Sequence, residues 1–95
     1  MAFTYAIPVS NGAYRVRLHF AELNKDGPNR RVFDVRLENT TVLSNFDIWA
    51  TAGGLNTALV REFPVIISDG SVSLGFIRRI ENAKISAIEV IPHTP

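Results

Sequence analysis

The residues able to do chemistry concentrate in a polar stretch, Asn24 to Arg30, within "AELNKDGPNRRVFDV" (residues 21–35). Asn24, Lys25, Asp26, Asn29 and Arg30 supply amide, ammonium, carboxylate and guanidinium groups, a set that can hydrogen-bond a polar ligand. The stretch is longer than a tight hairpin needs. It reads either as a binding loop or as a hydrophilic connector turned by Gly27-Pro28. Groupings for catalysis are sparser. The two histidines are His19, on the outer side of an alternating run, and His93, in the C-terminal tail. General acid–base or nucleophilic work needs several groups brought together, and neither histidine has such neighbours, so no catalytic residue is assigned and the chain is not expected to be an enzyme. Asp34, in "VFDV", points away from the apolar face and pairs most simply with a cross-strand arginine such as Arg17. Asp26, Asp47 and Asp69 fall in separate loops, without the close spacing of oxygen donors in a calcium loop. No metal site and no cofactor are expected.

Arg15, Arg17, Arg30, Arg31, Arg36, Arg78 and Arg79 could gather on one side, but Glu22, Asp34 and Glu38 lie on or beside the same strands. No aromatic residues interleave with the arginines to stack bases. A solvated, salt-bridged sheet face fits this pattern, and nucleic-acid binding is not expected. Ten Lys and Arg against nine Asp and Glu give a net charge of +1, so any charged partner must be recognised locally. With no cysteine, disulfides, thiol nucleophiles and thiolate metal sites are excluded. The start, "MAFTYAIPVS", has neither a basic lead nor a long apolar run, so it reads as neither signal peptide nor membrane anchor, and no membrane insertion is expected. Asn39-Thr40-Thr41 matches an N-glycosylation acceptor in a turn.

The elements that position these groups follow from period. "YRVRLHFAE" places Tyr14, Val16, Leu18 and Phe20 on one face and Arg15, Arg17 and His19 on the other, the pattern of a half-buried strand. "RRVFDVRLE" repeats it, with Phe33, Val35 and Leu37 inward. "NTTVL" reads as a short strand after a polar turn at Glu38 to Thr40. "TALVREFPVIIS" and "SVSLGFI" flank Asp69-Gly70, which predicts a hairpin, and Ser10-Asn11-Gly12 is a second turn signal. "AKISAIEVI" is apolar at Ile85, Ala87, Ile88, Val90 and Ile91, so it is expected to be buried on most of both faces. Only "FDIWATAG" suggests a helix, one turn capped by Asp47 and ended by Gly53-Gly54. Six or seven short strands without a long amphipathic helix predict an antiparallel β-sandwich, a single domain over residues 1–95.

"GAYRVRLHFAEL", "RVFDVRLENTTVLSNFDIWATAGG", "SDGSVSLGFI" and "NAKISAIEV", in this order and at these distances, resemble the malectin family and malectin-like carbohydrate-binding modules. The resemblance runs from Phe3 to Ile91. It implies an all-β, jelly-roll-like sandwich of the galactose-binding-like kind, no catalytic activity, and a loop-end cleft for glucose-containing disaccharides or glycans. It also implies that this chain corresponds to the C-terminal part of the domain and lacks the family's N-terminal strands.

In sugar-binding members an adjacent aromatic pair follows the "Ala-Glu-apolar" phrase and stacks on a pyranose. Here those positions are Asn24 and Lys25, which offer no flat platform. The family's acidic residue followed by Asn, just before the last strand, is here Glu81-Asn82. Asn24, Lys25, Glu81 and Asn82 are therefore the expected carbohydrate-binding residues, while Trp49, inside the family's "NFDI" region, is assigned to packing. The expectation is a non-catalytic, lectin-like module for glucose-containing oligosaccharides with a weakened or altered site. The alternative is a structural or protein-interaction β-domain that has lost sugar binding. An unpaired sheet edge left by the absent strands would favour a homo-oligomer, a symmetric dimer through edge strands. The family also favours an extracellular setting or a place in a larger secreted or surface protein.

Overall fold

The computed structural model describes residues 2–93. In order, the elements are β1 (Ala2–Pro8), β2 (Gly12–Phe20), β3 (Val32–Leu37), β4 (Thr40–Phe46), α1 (Ile48–Ala52), β5 (Leu59–Ile67), β6 (Ser71–Ile80) and β7 (Ala87–Pro92). They form two antiparallel sheets, a four-stranded one in the order β1-β6-β3-β4 and a three-stranded one in the order β5-β2-β7. The expected β-sandwich is what the chain forms.

The alternation along β2 decides which face turns inward. Val16, Leu18 and Phe20 are buried and meet Phe33, Val35 and Leu37 of β3 and Val72, Leu74 and Phe76 of β6 in one core. Aromatic rings join the layers at one end, where Phe20 lies 4.8 Å from Phe46 and 5.9 Å from Phe33, with Phe33 edge-on to Phe46 at 5.7 Å. Such pairs add roughly 0.5–1.5 kcal/mol each beyond the area they bury. This cluster underlies the loops that leave β2 and enter β3.

On the outer face of the three-stranded sheet, Arg15 and Arg17 pair with Glu62, and Arg17 and His19 pair with Glu89. The face is salt-bridged as its composition suggests, but its acids come from β5 and β7. These groups are 32–45% exposed, so each contact is worth about 0–1 kcal/mol.

Three local expectations are corrected. Gly70 takes a positive φ of 76°, yet Asp69-Gly70 closes no hairpin, because β5 and β6 belong to different sheets. The turn at Ser10 to Gly12 also crosses between the sheets. The two crossovers brace each other, Val9 N–H donating to the Gly70 carbonyl at 3.0 Å and Gly70 N–H to Asn11 Oδ1 at 2.7 Å. Turn chemistry sets local dihedral angles but does not choose the partner strand. β7 is the second miss: as an edge strand it is half-buried at Ile88, Val90 and Ile91 and exposed at Ala87.

The third concerns Asp34. It is 5% exposed and pairs with Arg79 of the neighbouring β6, while Arg17 lies in the other sheet. The register between β3 and β4 slips here, with Phe33 opposite Phe46 but Val35 opposite Leu43. This bulge leaves β4 an extra residue opposite Asp34. Asp34 Oδ1 accepts from the Asn45 N–H at 2.8 Å, supplying a partner to that amide. The Arg79 guanidinium foremost, helped by the Asn45 N–H and opposed by burial, holds the Asp34 carboxyl below the usual carboxylate range.

The short helix is as the sequence suggests. Asp47 Oδ1 caps it by accepting from the Ala50 N–H at 3.1 Å, and Gly53, at φ 87°, ends it with its N–H on the Trp49 carbonyl at 3.0 Å. Trp49 is half-buried.

Candidate functional site

At the end of the sandwich above the Phe20–Phe33–Phe46 cluster, the β2–β3 loop (21–31) meets the β6–β7 segment (81–86). One contact between them is made by two of the expected binding residues, Lys25 Nζ lying 3.8 Å from Glu81 Oε2. Asn24 and Asn82 are exposed beside them. All four residues thus belong to two segments that meet. The Lys25–Glu81 pair is open to water, with side chains 30% and 53% exposed, so a ligand can reach both charges.

What holds the loop is a residue that the sequence reading counted only as a balancing charge. Glu22 is 1% exposed. Its Oε2 accepts from the backbone N–H groups of Asn24 and Lys25, both at 3.2 Å, and its Oε1 accepts from Arg31 Nε at 2.7 Å. Arg31 Nη1 in turn donates to the Asn82 carbonyl at 2.5 Å. A buried carboxylate is costly unless paired. Burial pushes the Glu22 carboxyl upward, but the Arg31 guanidinium and the two loop N–H groups outweigh it and keep the group below its ordinary value. Glu22 is therefore ionised at neutral pH. The signal that could have found it is an acid placed directly after an apolar strand end, where the continuing alternation points it inward.

Two further bonds fix the loop from the other side. Asn29 N–H donates to Asp47 Oδ2 at 2.6 Å, so one carboxylate caps α1 and anchors the loop. Asn56 N–H donates to the Glu22 carbonyl at 2.7 Å. Asp26 and Arg30 remain exposed.

Glu81 has a backbone φ of 59°, a left-handed conformation that costs a non-glycine residue about 1–2 kcal/mol. This conformation belongs to the residue that pairs with Lys25. Among the described residues, no group of three His, Asp or Glu side chains is placed to hold a metal ion. The arrangement offers an ammonium, a carboxylate and amides at a rim, a set that can read hydroxyl groups by accepting and donating hydrogen bonds.

The chain is similar to parts of receptor-like proteins of a plant and of a bacterial enzyme. A probable LRR receptor-like serine/threonine-protein kinase of Arabidopsis thaliana is 31% identical over 106 residues, covering 94% of this chain and 10% of that protein. The solved ANX2 ectodomain from Arabidopsis thaliana superposes with a TM-score of 0.76 at 20% identity, over 96% of this chain and 27% of that one. A β-glucuronidase of Bacteroides uniformis superposes with a TM-score of 0.83 at 13% identity, over 96% of this chain and 10% of that enzyme. At these identities the two superpositions speak for the fold alone. The chain spans about a tenth of the kinase and of the β-glucuronidase. The family model described as the Malectin domain matches residues 1–91, and the chain belongs to the malectin family.

Proposed function

We propose that this chain is a non-catalytic carbohydrate-binding module that holds a glucose-containing di- or oligosaccharide across Asn24, Lys25, Glu81 and Asn82. The observation that carries the reading is the Lys25–Glu81 contact at 3.8 Å. Two loops far apart in sequence bring an ammonium and a carboxylate to one open rim, where a sugar hydroxyl can donate to Glu81 and accept from Lys25. Without a stacking ring at Asn24 or Lys25, hydrogen bonds carry the affinity. Such bonds contribute modestly because water competes for the same groups, so binding is weak, in the millimolar range.

The receptor-like relatives and the ANX2 ectodomain support an extracellular or cell-surface setting. The free edge of β1 supports self-association. Ala2–Pro8 carries no charge along its length, and β1 forms one border of its sheet. Uncharged edges pair readily, and we assign the occupant to β1 of a second copy, antiparallel across a two-fold axis.

The test is a titration of the ¹⁵N-labelled chain with glucose-containing disaccharides. Amide shifts confined to the β2–β3 and β6–β7 loops at millimolar sugar, lost in both Lys25→Ala and Glu81→Asn, support the reading. Unchanged spectra at tens of millimolar sugar overturn it and leave the structural or protein-interaction role, which the absence of a stacking residue favours.

A further inference from the structure

Near the opposite end of β3 from the candidate site, three residues lie in a row across the four-stranded sheet. Thr4 of β1 and Arg36 of β3 are both register partners of Gly75 on β6. Gly75 leaves a gap in the row, and the gap floors a trough of about 250 Å³ walled by Thr4, Arg36, Asn39, Ser73 and Ile77.

Nothing in the fold requires glycine at this point. Its φ is not in the left-handed region, and an added Cβ would meet only the Arg36 Cβ at 3.8 Å, an ordinary contact. Glycine weakens a strand interior, and where it persists there it often marks a close approach by a ligand or another backbone.

The lining is mixed, with Phe3, Phe76 and Ile77 apolar and Thr4, Arg36, Asn39 and Ser73 polar. Arg36 Nη2 donates to the Asn39 carbonyl at 2.9 Å, and among the described residues no carboxylate pairs with this guanidinium. The two acids nearest to Arg36 in sequence are both engaged elsewhere, Asp34 with Arg79 and Glu38 with the backbone, its Oε2 accepting from the Ser73 N–H at 2.7 Å. A guanidinium matches a planar carboxylate in shape and charge. The Thr4 and Ser73 hydroxyls can each donate or accept.

We propose that this trough is a second ligand site, separate from the loop-end site, that takes a small hydroxylated carboxylate. The carboxylate sits on Arg36, the hydroxyl groups sit on Ser73 and Thr4, and the carbon frame lies over Gly75.

The test is an amide-shift titration of the intact chain with gluconate, glucose and acetate. Gluconate is expected to shift Ser73, Gly75 and Arg36 at millimolar concentration, with glucose and acetate each at least about tenfold weaker because each lacks one class of contact. Arg36→Gln is expected to lose about tenfold in gluconate affinity. Gly75→Ala is expected to raise the melting temperature, because a strand interior is stabilised, while binding falls several-fold as the methyl group fills the floor. Glu81→Asn is expected to leave the trough response intact, which separates this site from the loop-end one. Equal responses to gluconate and glucose, no response at all, or full binding by Arg36→Gln or Gly75→Ala would overturn the proposal.

Discussion

Arg31 donates from Nε to the buried Glu22 carboxylate at 2.7 Å and from Nη1 to the Asn82 carbonyl. One side chain therefore spans both segments of the candidate site. Glu22 orders Asn24 and Lys25 through their N–H groups, so the relay runs from the first expected binding pair to the second.

Breaking that relay should loosen the rim and cost stability together. Glu22→Gln keeps the volume but removes the charge that Arg31 faces, a loss of about 1–3 kcal/mol. For a domain of this size that lowers the melting temperature by roughly 4–8 °C per kcal/mol. Hydrogen exchange is expected to quicken at the Asn24 and Lys25 amides before it does along β2. Unchanged protection at those two amides would show that the Glu22 carboxylate does not order them.

Acid should act through the same groups. Glu22 and Asp34 are both held below their unfolded pKa values, so the unfolded chain takes up protons first as pH falls. Their contribution is complete above the ordinary carboxylate range, near pH ~4, and is lost progressively below it. Denaturant midpoints measured downward from pH 7 are expected to stay level and then drop below about pH 4. The drop should be smaller in Glu22→Gln and in Asp34→Asn, and an equal drop in both variants would place the acid sensitivity elsewhere.

The sequence shows the inward faces of β2 and β3 because side-chain alternation is a local property that burial enforces. It shows the α1 cap for the same reason, since Asp47 and Ala50 are neighbours in the chain. It does not show strand partners. Asp69-Gly70 has the chemistry of a tight turn, but whether the next strand pairs with the last or crosses to the facing sheet depends on the whole topology. Asp34 and Arg79 are likewise joined only because β3 and β6 are adjacent and β4 bulges opposite Asp34. At the site, the polar loop that holds Lys25 is visible in the sequence itself, whereas Glu81 comes only from the family resemblance, and the contact between them depends on loops that no period describes. Glu22 stayed hidden because an acid after a strand is ordinarily solvated.

Glu81 gives a way to separate binding from folding. Its left-handed backbone suits asparagine better than glutamate. Glu81→Asn is expected to be neutral or to stabilise the fold by up to about 1 kcal/mol while removing the carboxylate partner of Lys25. The melting temperature and the sugar titration should then move independently. A clear loss of stability would mean that the exposed pair with Lys25 matters more to the fold than the strain it accompanies.

The edge of β1 sets the last prediction. The three other border strands are each less open to pairing. β5 carries Arg61, Glu62 and Pro64, β7 carries Glu89 and Pro92, and β4 is bulged against β3. Pro cannot donate to a new ladder, charge resists close approach of a copy, and bulges twist an edge away. β1 has only Pro8, at its end, while Tyr5 is 42% exposed in its middle. Sedimentation velocity is expected to show a concentration-dependent dimer. Ala6→Lys places a charge on an exposed edge residue, so two copies meeting across a two-fold axis would bring like charges together. That variant should be monomeric with an unchanged fold by circular dichroism. A wild-type chain that stays monomeric at high concentration, or an Ala6→Lys variant that still dimerises, would remove β1 as the contact.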